Sequence, residues 1–219
     1  MTVAPVPALH MVTDRRRLAP DARTPRDEVT ALLAQIAAAI DAGVDAIHVR
    51  ERDLGGAALT ALVARAVQLA GGSPTRILVN ERADVARAAG AAGVHLPEAG
   101  IAADSTRRFG PSWLVGRSIH GEGVPADEAA CDYLFFGTVY PSVSKGLASG
   151  AGLDALRRAV ERLHRPVIAI GGVDVERARA CVGAGAHGVA AIGAFLPQAG
   201  RPLRLKPVVD ALRDALRQH

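Results

Sequence analysis

The stretch PVIAIGGVD at residues 166–174 has the pattern of a buried strand that ends in a glycine turn and leads into a helix. Val167–Ile170 is apolar at every position, which is typical of a parallel strand covered on both faces. Gly171 and Gly172 follow directly, and Asp174 is a residue type that caps helix starts. VAAIGAF at residues 189–195 repeats the arrangement with Gly193. Together they indicate strand–turn–helix units built on a parallel sheet.

The same unit recurs along the chain. The predicted strands are Leu9–Thr13, Ala46–Val49, Ile77–Asn80, Gly93–Leu96, Leu114–Gly116, Tyr133–Gly137, Val167–Ile170 and Gly188–Ala191. Helical spacing of apolar residues predicts helices over Asp27–Ala42, Ala57–Ala70, Leu153–Leu163, Val175–Val182 and Pro207–Leu216, with short ones near Ser105–Phe109 and Pro125–Ala130. This alternation predicts an α/β fold, a (β/α)8 TIM barrel. A doubly wound open sheet is the alternative, although no G-x-G-x-x-G opens the first helix.

Length and composition narrow the class of protein. A chain of 219 residues suits one domain over residues 1–219, with residues 1–7 as a loose lead-in. Aromatic residues make up only 3%, so the core must be mainly aliphatic and base-stacking platforms are disfavoured. The net charge is +4 without a long basic run, which argues against a nucleic-acid partner.

The expected location is cytoplasmic. The sequence shows neither a secretory signal nor an apolar run of membrane-spanning length, so no membrane partner is expected. Cys131 and Cys181 lie in alanine-rich surroundings and are predicted to be buried free thiols. The oligomeric state stays open, with a homo-oligomer as one alternative.

Polar residues gather directly after the predicted strands, where a barrel of this kind carries its active site. The glycines after the last two strands, Gly171, Gly172 and Gly193, predict a phosphate site made of backbone N–H groups. After the sixth strand, Thr138 begins a long loop of small residues that contains Ser144 and Lys145. This loop is either a lid over an anion or a solvated linker.

Two further strand ends carry candidate side chains. Strand alternation turns His48 and Arg50 inward, either toward a substrate anion or, for Arg50, into a structural salt bridge with a glutamate. Ser118 and His120 in VGRSIH point to the same side of an extended chain. A histidine there is either a proton shuttle or a structural residue. No acidic partner is evident at a fixed spacing, which disfavours a Ser–His–Asp hydrolase.

Ordered motifs extend this interpretation. They are LHMVTD (9–14), IHVRERD (47–53), LVNERADVA (78–86), GVHLPEAG (93–100), VGRSIH (115–120), DYLFFGTVYPSVSKG (132–146) and the segment 166–195. Their order resembles the thiamine-phosphate synthase superfamily. The resemblance implies a (β/α)8 barrel and one of two activities. Synthases join a pyrimidine diphosphate to a thiazole phosphate with Mg²⁺, whereas TenI-type tautomerases aromatise a thiazole phosphate.

Departures from the synthase motifs favour the tautomerase branch. The synthase pattern Gln-x-Arg-x-Lys is His48, Arg50 and Arg52 here, and the Asn-Asp pair is Asn80-Glu81. The Gly-Gln-Glu-Asp stretch is replaced by residues 97–100, PEAG, without the second aspartate. Because Mg²⁺ requires closely placed oxygen ligands, we expect no metal and no cofactor.

The expected activity is therefore that of a thiazole tautomerase, an isomerase acting on a small-molecule thiazole phosphate. The resemblance makes His120 the proton shuttle, with Ser118 tuning it. The expected substrate-binding residues are His48, Arg50, Arg52, Asn80, Thr138, Ser144, Lys145, Gly171, Gly172, Ile192 and Gly193. The alternatives are a Mg²⁺-dependent thiamine-phosphate synthase that uses Glu81, and a regulatory barrel that binds a phosphate ligand without catalysis.

Overall fold

Eight parallel strands, β1 to β8, pair in sequence order and close into a barrel. The computed structural model describes residues 6, 8–121, 123–142, 149–197 and 204–217. The strands are β1 Leu9–Val12, β2 Ala46–Val49, β3 Arg76–Asn80, β4 Gly93–Leu96, β5 Leu114–Ile119, β6 Tyr133–Phe136, β7 Val167–Ile170 and β8 Gly188–Ala191. The predicted TIM barrel is confirmed. The expected lead-in at residues 1–7 lies almost entirely outside the described residues.

Helices alternate with the strands and cover the barrel. They are α1 Arg15–Leu18, α2 Pro25–Ala42, α3 Gly56–Ala70, α4 Ala83–Ala89, α5 Ala103–Arg107, α6 Gly152–Arg162, α7 Val175–Gly183 and α8 Leu205–Leu216. Short 3-10 turns lie at Glu128–Ala130 and Gly193–Phe195. The helix α2 begins with a reciprocal capping box between Thr24 and Asp27. None of the helices in the described ranges is both long enough and apolar enough to cross a membrane.

The strand β5 is longer than predicted. It continues to Ile119, because Arg117, Ser118 and Ile119 pair with Leu134, Phe135 and Phe136 of β6. Ser118 is therefore part of the strand and does not belong to the loop after it. The Arg117 side chain is buried and donates to the carbonyl oxygens of residues 97, 98 and 101. A charged residue is tolerated at this buried strand position because its two Nη groups find these acceptors and the Asp127 carboxylate at 2.8 Å, while its Nε has no partner among the described residues.

Two apolar cores flank the sheet. The larger lies between the strands and the surrounding helices and contains mainly Ala, Val, Leu and Ile. The smaller fills the barrel interior, where Tyr133 and Phe135 of β6 pack with aliphatic residues. Three buried histidines, His10, His48 and His95, complete this interior. Cys131 and Cys181 are buried and form no disulfide, as predicted.

Asp45 joins the two ends of the barrel sequence. Its carboxylate accepts hydrogen bonds from the backbone N–H groups of Ala8 and Leu9, at 3.2 and 2.9 Å, at the start of β1. The same carboxylate pairs with Arg213 of α8 at 2.6 Å. β1 and β8 pair directly beside it, with Leu9 opposite Val189. One side chain thus links the first strand, the second strand and the last helix.

Candidate active site

A cavity of about 420 Å³ opens at the carboxyl ends of the strands. This volume is in the range of small-molecule sites. The predicted site residues that line it are Arg50, Arg52, Asn80, Ser118, His120, Thr138, Gly171, Gly172, Ile192 and Gly193. The structure therefore brings ten of the predicted residues together, and they come from the ends of six strands. The predicted Ser144 and Lys145 lie outside the described residues.

The two glycines after β7 present backbone N–H groups at the cavity wall. Their carbonyl oxygens are held by the protein: Gly171 accepts from the Tyr140 N–H at 3.0 Å, and Gly172 accepts from Arg177 Nη1 at 2.7 Å. Within the described ranges, the N–H groups of Gly171 and Gly172 have no protein acceptor. Unpaired backbone N–H groups of this kind are able to bind an anion.

Side chains are excluded from both positions. Gly171 and Gly172 have φ angles of 98° and 63°, in the left-handed region. A Cβ at Gly171 would lie 2.4 Å from Thr138 Cγ2, and one at Gly172 would lie 2.6 Å from the Pro141 carbonyl oxygen. The turn after β7 therefore requires glycine twice, and packs directly against the chain that follows β6.

Arg50 is a half-buried cation at the cavity wall. Burial, followed by repulsion from Arg52, lowers the pKa of its guanidinium. Across the described part of the chain, no carboxylate lies within 4 Å of its guanidinium nitrogens. The alternative of a structural Arg50–glutamate salt bridge is not observed, because Glu51 instead pairs with the buried Arg15 at 3.0 Å. A partly desolvated arginine without a close counter-ion is well suited to an anionic ligand.

Two more arginines flank Arg50. Arg52 is more exposed and lies 3.5 Å from the Glu81 carboxylate. Arg17, on α1, also lines the cavity and was not predicted. It lies 3.9 Å from Asp14, at the outer limit of an ion pair. The sequence feature that could have indicated Arg17 is the run of arginines Arg15–Arg17, which follows β1 directly. The strand ends of β1 and β2 therefore form a cationic region, which we define as Arg17, Arg50 and Arg52.

His120 lines the cavity and is held by a carboxylate. Its Nδ1 lies 2.9 Å from Glu98 Oε2, and its backbone N–H donates to Glu98 Oε1 at 3.1 Å. Sequence reasoning missed this acidic partner, because Glu98 and His120 are 22 residues apart. The signal was their placement after β4 and β5, which are neighbouring strands.

Ser118 has a different partner from the one predicted. Its hydroxyl lies 2.9 Å from Nε2 of the buried His95, whose Nδ1 lies 3.2 Å from the Tyr133 hydroxyl. Ser118 was expected to tune His120, but its hydrogen bond is directed into the barrel interior. The reason is that Ser118 belongs to β5, where its hydroxyl lies at the cavity wall and within hydrogen-bond distance of His95 on the neighbouring strand β4.

His48 does point inward, as strand alternation predicted, but it lies below the cavity. It is 2% exposed, is absent from the cavity wall, and its Nε2 lies 2.8 Å from His10 Nδ1. Burial, followed by the neighbouring histidines, lowers its pKa well below the usual value. His48 is therefore a neutral residue of the barrel interior, one layer beneath Arg50.

The carboxylates at the mouth do not form a preformed metal site. Glu81 faces Arg52, and Glu98 faces His120. In the described part of the chain, no group of three His, Cys, Asp or Glu side chains is placed to hold one ion. Mg²⁺ takes six closely spaced oxygen ligands, and two carboxylates that are each held by another side chain are a poor donor set. These residues do not fit a divalent ion that the protein holds on its own.

Known proteins place this barrel in a family. The sequence profile described as thiamine monophosphate synthase matches residues 22–195. Thiamine-phosphate synthase of Salinibacter ruber is 37% identical over 191 residues, covering 85% of this chain and 80% of that protein. Thiamine-phosphate synthase of Anaeromyxobacter dehalogenans is 39% identical over 168 residues, covering 75% of each.

A solved structure agrees with the sequence relatives. Thiamine phosphate pyrophosphorylase from Pyrococcus furiosus superposes with a TM-score of 0.76 at 26% identity and covers 95% of both chains. These findings contradict the expected tautomerase activity, because relatives at 37 and 39% identity carry the name synthase. The isomerase assignment rested on motif differences in three short loops and is wrong. Across most of its length, the chain belongs to the thiamine monophosphate synthase family.

Proposed function

We propose that the chain catalyses the transfer reaction of a thiamine-phosphate synthase. In this reaction the thiazole ring nitrogen of a thiazole phosphate forms a bond to the methylene carbon of a pyrimidine diphosphate. The carbon–oxygen bond to the diphosphate breaks, and its electron pair leaves with inorganic pyrophosphate. The observation that carries the proposal is that three arginines and the glycine turns after β7 and β8 line the same cavity, two regions of different chemistry that would suit two phosphorylated substrates.

The cationic region is suited to the diphosphate. Arg17, Arg50 and Arg52 follow the first two strands and converge on the cavity, and Asn80 adds an amide from the end of β3. Guanidinium groups bind phosphate oxygens through paired N–H donors. Positive charge placed where a leaving group gains negative charge stabilises the transition state more than the ground state. This region is thus proposed to hold the diphosphate as it departs.

The glycine turns are suited to the monophosphate. Gly171 and Gly172 follow β7, while Ile192 and Gly193 follow β8, the usual phosphate position in this type of barrel. Backbone N–H groups bind a phosphate without a cation close by, which suits the lower charge of a monophosphate. Its separation from the arginines would hold the thiazole ring between the two regions and in reach of the methylene carbon.

A coupling assay tests the proposal. The protein is incubated with the pyrimidine diphosphate, the thiazole phosphate and MgCl₂, and thiamine phosphate and pyrophosphate are both quantified. We expect the two products in equal amounts and dependent on both substrates. Arg65→Gln, on the exposed face of α3, is a matched control for arginine variants of the cavity. Failure of the wild-type protein to form thiamine phosphate at saturating substrate would refute the proposed function.

A further inference from the structure

We propose that Tyr133 and His95 position the Ser118 hydroxyl so that it donates a hydrogen bond to the ligand in the cavity. The role of the Ser118 hydroxyl in turnover rests on the proposed transfer reaction. The directions of the hydrogen bonds within the protein do not depend on that reaction. Tyr133 and His95 do not line the cavity, so they would act through Ser118 as positioning residues.

The three side chains form a continuous chain of hydrogen bonds from the barrel interior to the cavity wall. Tyr133 is fully buried on β6, and His95 is 4% exposed on β4. The Tyr133 hydroxyl lies 3.2 Å from His95 Nδ1, and His95 Nε2 lies 2.9 Å from Ser118 Oγ. Ser118 is the member of this chain that reaches the cavity.

Gly116 makes room for this arrangement. It lies opposite Tyr133 on β6 and opposite His95 on β4. A Cβ at Gly116 would lie 2.1 Å from Tyr133 Cζ and 2.4 Å from its hydroxyl oxygen. The glycine of VGRSIH therefore lets the Tyr133 ring cross β5 and bring its hydroxyl to His95. The sequence pattern Gly-x-Ser is thus explained by one interior network.

The direction of each hydrogen bond follows from what each group can donate. Burial is the main cause that lowers the pKa of His95, to about 3, so the imidazole is neutral and carries one N–H. A buried phenol needs an acceptor for its O–H, and among the described residues its one hydrogen-bond partner is His95 Nδ1. Tyr133 therefore donates to Nδ1, which puts the imidazole proton on Nε2.

This tautomer determines what Ser118 offers the ligand. The Nε2–H donates to Ser118 Oγ, so the serine accepts from the protein and its own O–H is left to donate. The opposite tautomer would have Ser118 donate to His95 and present only lone pairs to the cavity. The ligand atom at Ser118 is therefore an acceptor, such as a phosphoryl oxygen, and a ligand N–H or O–H donor is disfavoured there.

The tautomer is measured directly by nitrogen-15 NMR of the imidazole ring. The wild-type protein should show His95 with a protonated Nε2 and an unprotonated Nδ1 at neutral pH. In Tyr133→Phe the ring shape is kept while the donor to Nδ1 is lost, and we expect the proton to move toward Nδ1. A wild-type His95 protonated at Nδ1 would overturn the proposal.

The consequence for binding is measured with inorganic pyrophosphate by calorimetry. Tyr133→Phe should weaken pyrophosphate binding by roughly 10- to 100-fold, in the range of one hydrogen bond to a charged group. Ser118→Ala should weaken it by at least as much. The double variant should be no weaker than Ser118→Ala, because Tyr133 acts through Ser118. Thr75→Val is the matched control, since it removes a buried hydroxyl that donates to the Val44 carbonyl oxygen, outside the cavity.

The outcomes of these experiments distinguish the proposal from its alternatives. Additive losses in the double variant, unchanged binding in folded Tyr133→Phe, or no pyrophosphate binding to the wild-type protein would each overturn the proposal. If the tautomer and the non-additive losses are observed while the coupling assay gives no product, the transfer reaction fails and the positioning role of Tyr133 and His95 stands. Thermal unfolding of each variant establishes that the binding change is not a folding defect.

Discussion

Glu98 holds His120 through two hydrogen bonds, at 2.9 Å to the imidazole Nδ1 and at 3.1 Å to the backbone N–H. The pair fixes both the ring and the chain at the end of β5. Because both side chains are partly exposed, we expect Glu98→Ala to lower kcat/KM by only about fivefold. Steady-state coupling kinetics measure this effect.

Glu161→Ala is the control for this change, since Glu161 is an exposed carboxylate on α6. The same loss of kcat/KM in Glu161→Ala would show that general charge, rather than the contact with His120, is responsible. No change in Glu98→Ala would contradict a role for the pair in the cavity.

Arg50→Gln should selectively weaken the diphosphate substrate. Arg50 is a half-buried guanidinium that lines the cavity, so its removal deletes a charge-assisted contact of roughly 1.5–3 kcal/mol. We expect kcat/KM for the pyrimidine diphosphate to fall by about 10- to 100-fold, measured by varying one substrate at a time. Arg65→Gln should behave as wild type. An equal loss for the thiazole phosphate would contradict separate anion regions.

Gly171→Ala should impair the glycine turn after β7, which is proposed to bind the thiazole phosphate. The added methyl group would lie 2.4 Å from Thr138 Cγ2 at a residue with φ of 98°. Strain of roughly 1–3 kcal/mol is expected, and the turn must shift its N–H groups. The KM for the thiazole phosphate should rise by about tenfold or more. Gly123→Ala is the control, because nothing lies within 4 Å of its Cβ position. A normal KM in folded Gly171→Ala would argue against phosphate binding at this turn.

Stability should depend on pH through the buried histidines. The pKa of His95 is lowered to about 3 in the folded protein, and that of His48 is also lowered well below its usual value. The unfolded chain binds these protons near pH 6.5 and the folded protein does not. Stability is therefore full above about pH 6.5 and is lost as the pH falls toward 3, by roughly 1 kcal/mol per pH unit for His95, and His48 adds a loss in the same direction.

Urea unfolding at pH 7, 6 and 5 measures this dependence. His95→Gln should show a shallower decline of the free energy of unfolding with falling pH than the wild-type protein. The comparison concerns the slope and not the absolute stability, which the variant also changes by breaking the contact with Ser118. Equal slopes would show that His95 is not the group that takes up a proton on unfolding.

The sequence was sufficient to predict the barrel. Ala46–Val49 and Gly188–Ala191 are observed with the predicted bounds, since strands covered on both faces are apolar throughout. The predicted end of β5 at Gly116 was too early, because a local pattern cannot show that Arg117 finds carbonyl acceptors in the next loop. The short helices α1 and α4 contain too few turns for a helical period to be recognised.

The site was predicted in part. Glycine turns and strand-end polar residues are local signals, so most of the cavity wall could be named in advance. Contacts between residues on different strands could not be predicted. Glu98 meets His120, and Tyr133 meets His95, only because of the register of the closed sheet. The activity was mispredicted because motif differences at three loops were weighted above similarity along most of the chain.

The position of Asp45 has a consequence for how the protein unfolds locally. Its carboxylate is shared by the start of β1 and by Arg213 of α8, beside the seam between β1 and β8. Fraying of the last helix leaves a partly buried anion without its cation, and fraying of the first strand removes its N–H donors. The two termini therefore support each other, and amide hydrogens in Leu9–Val12 and Leu205–Leu216 should exchange as a single cooperative unit.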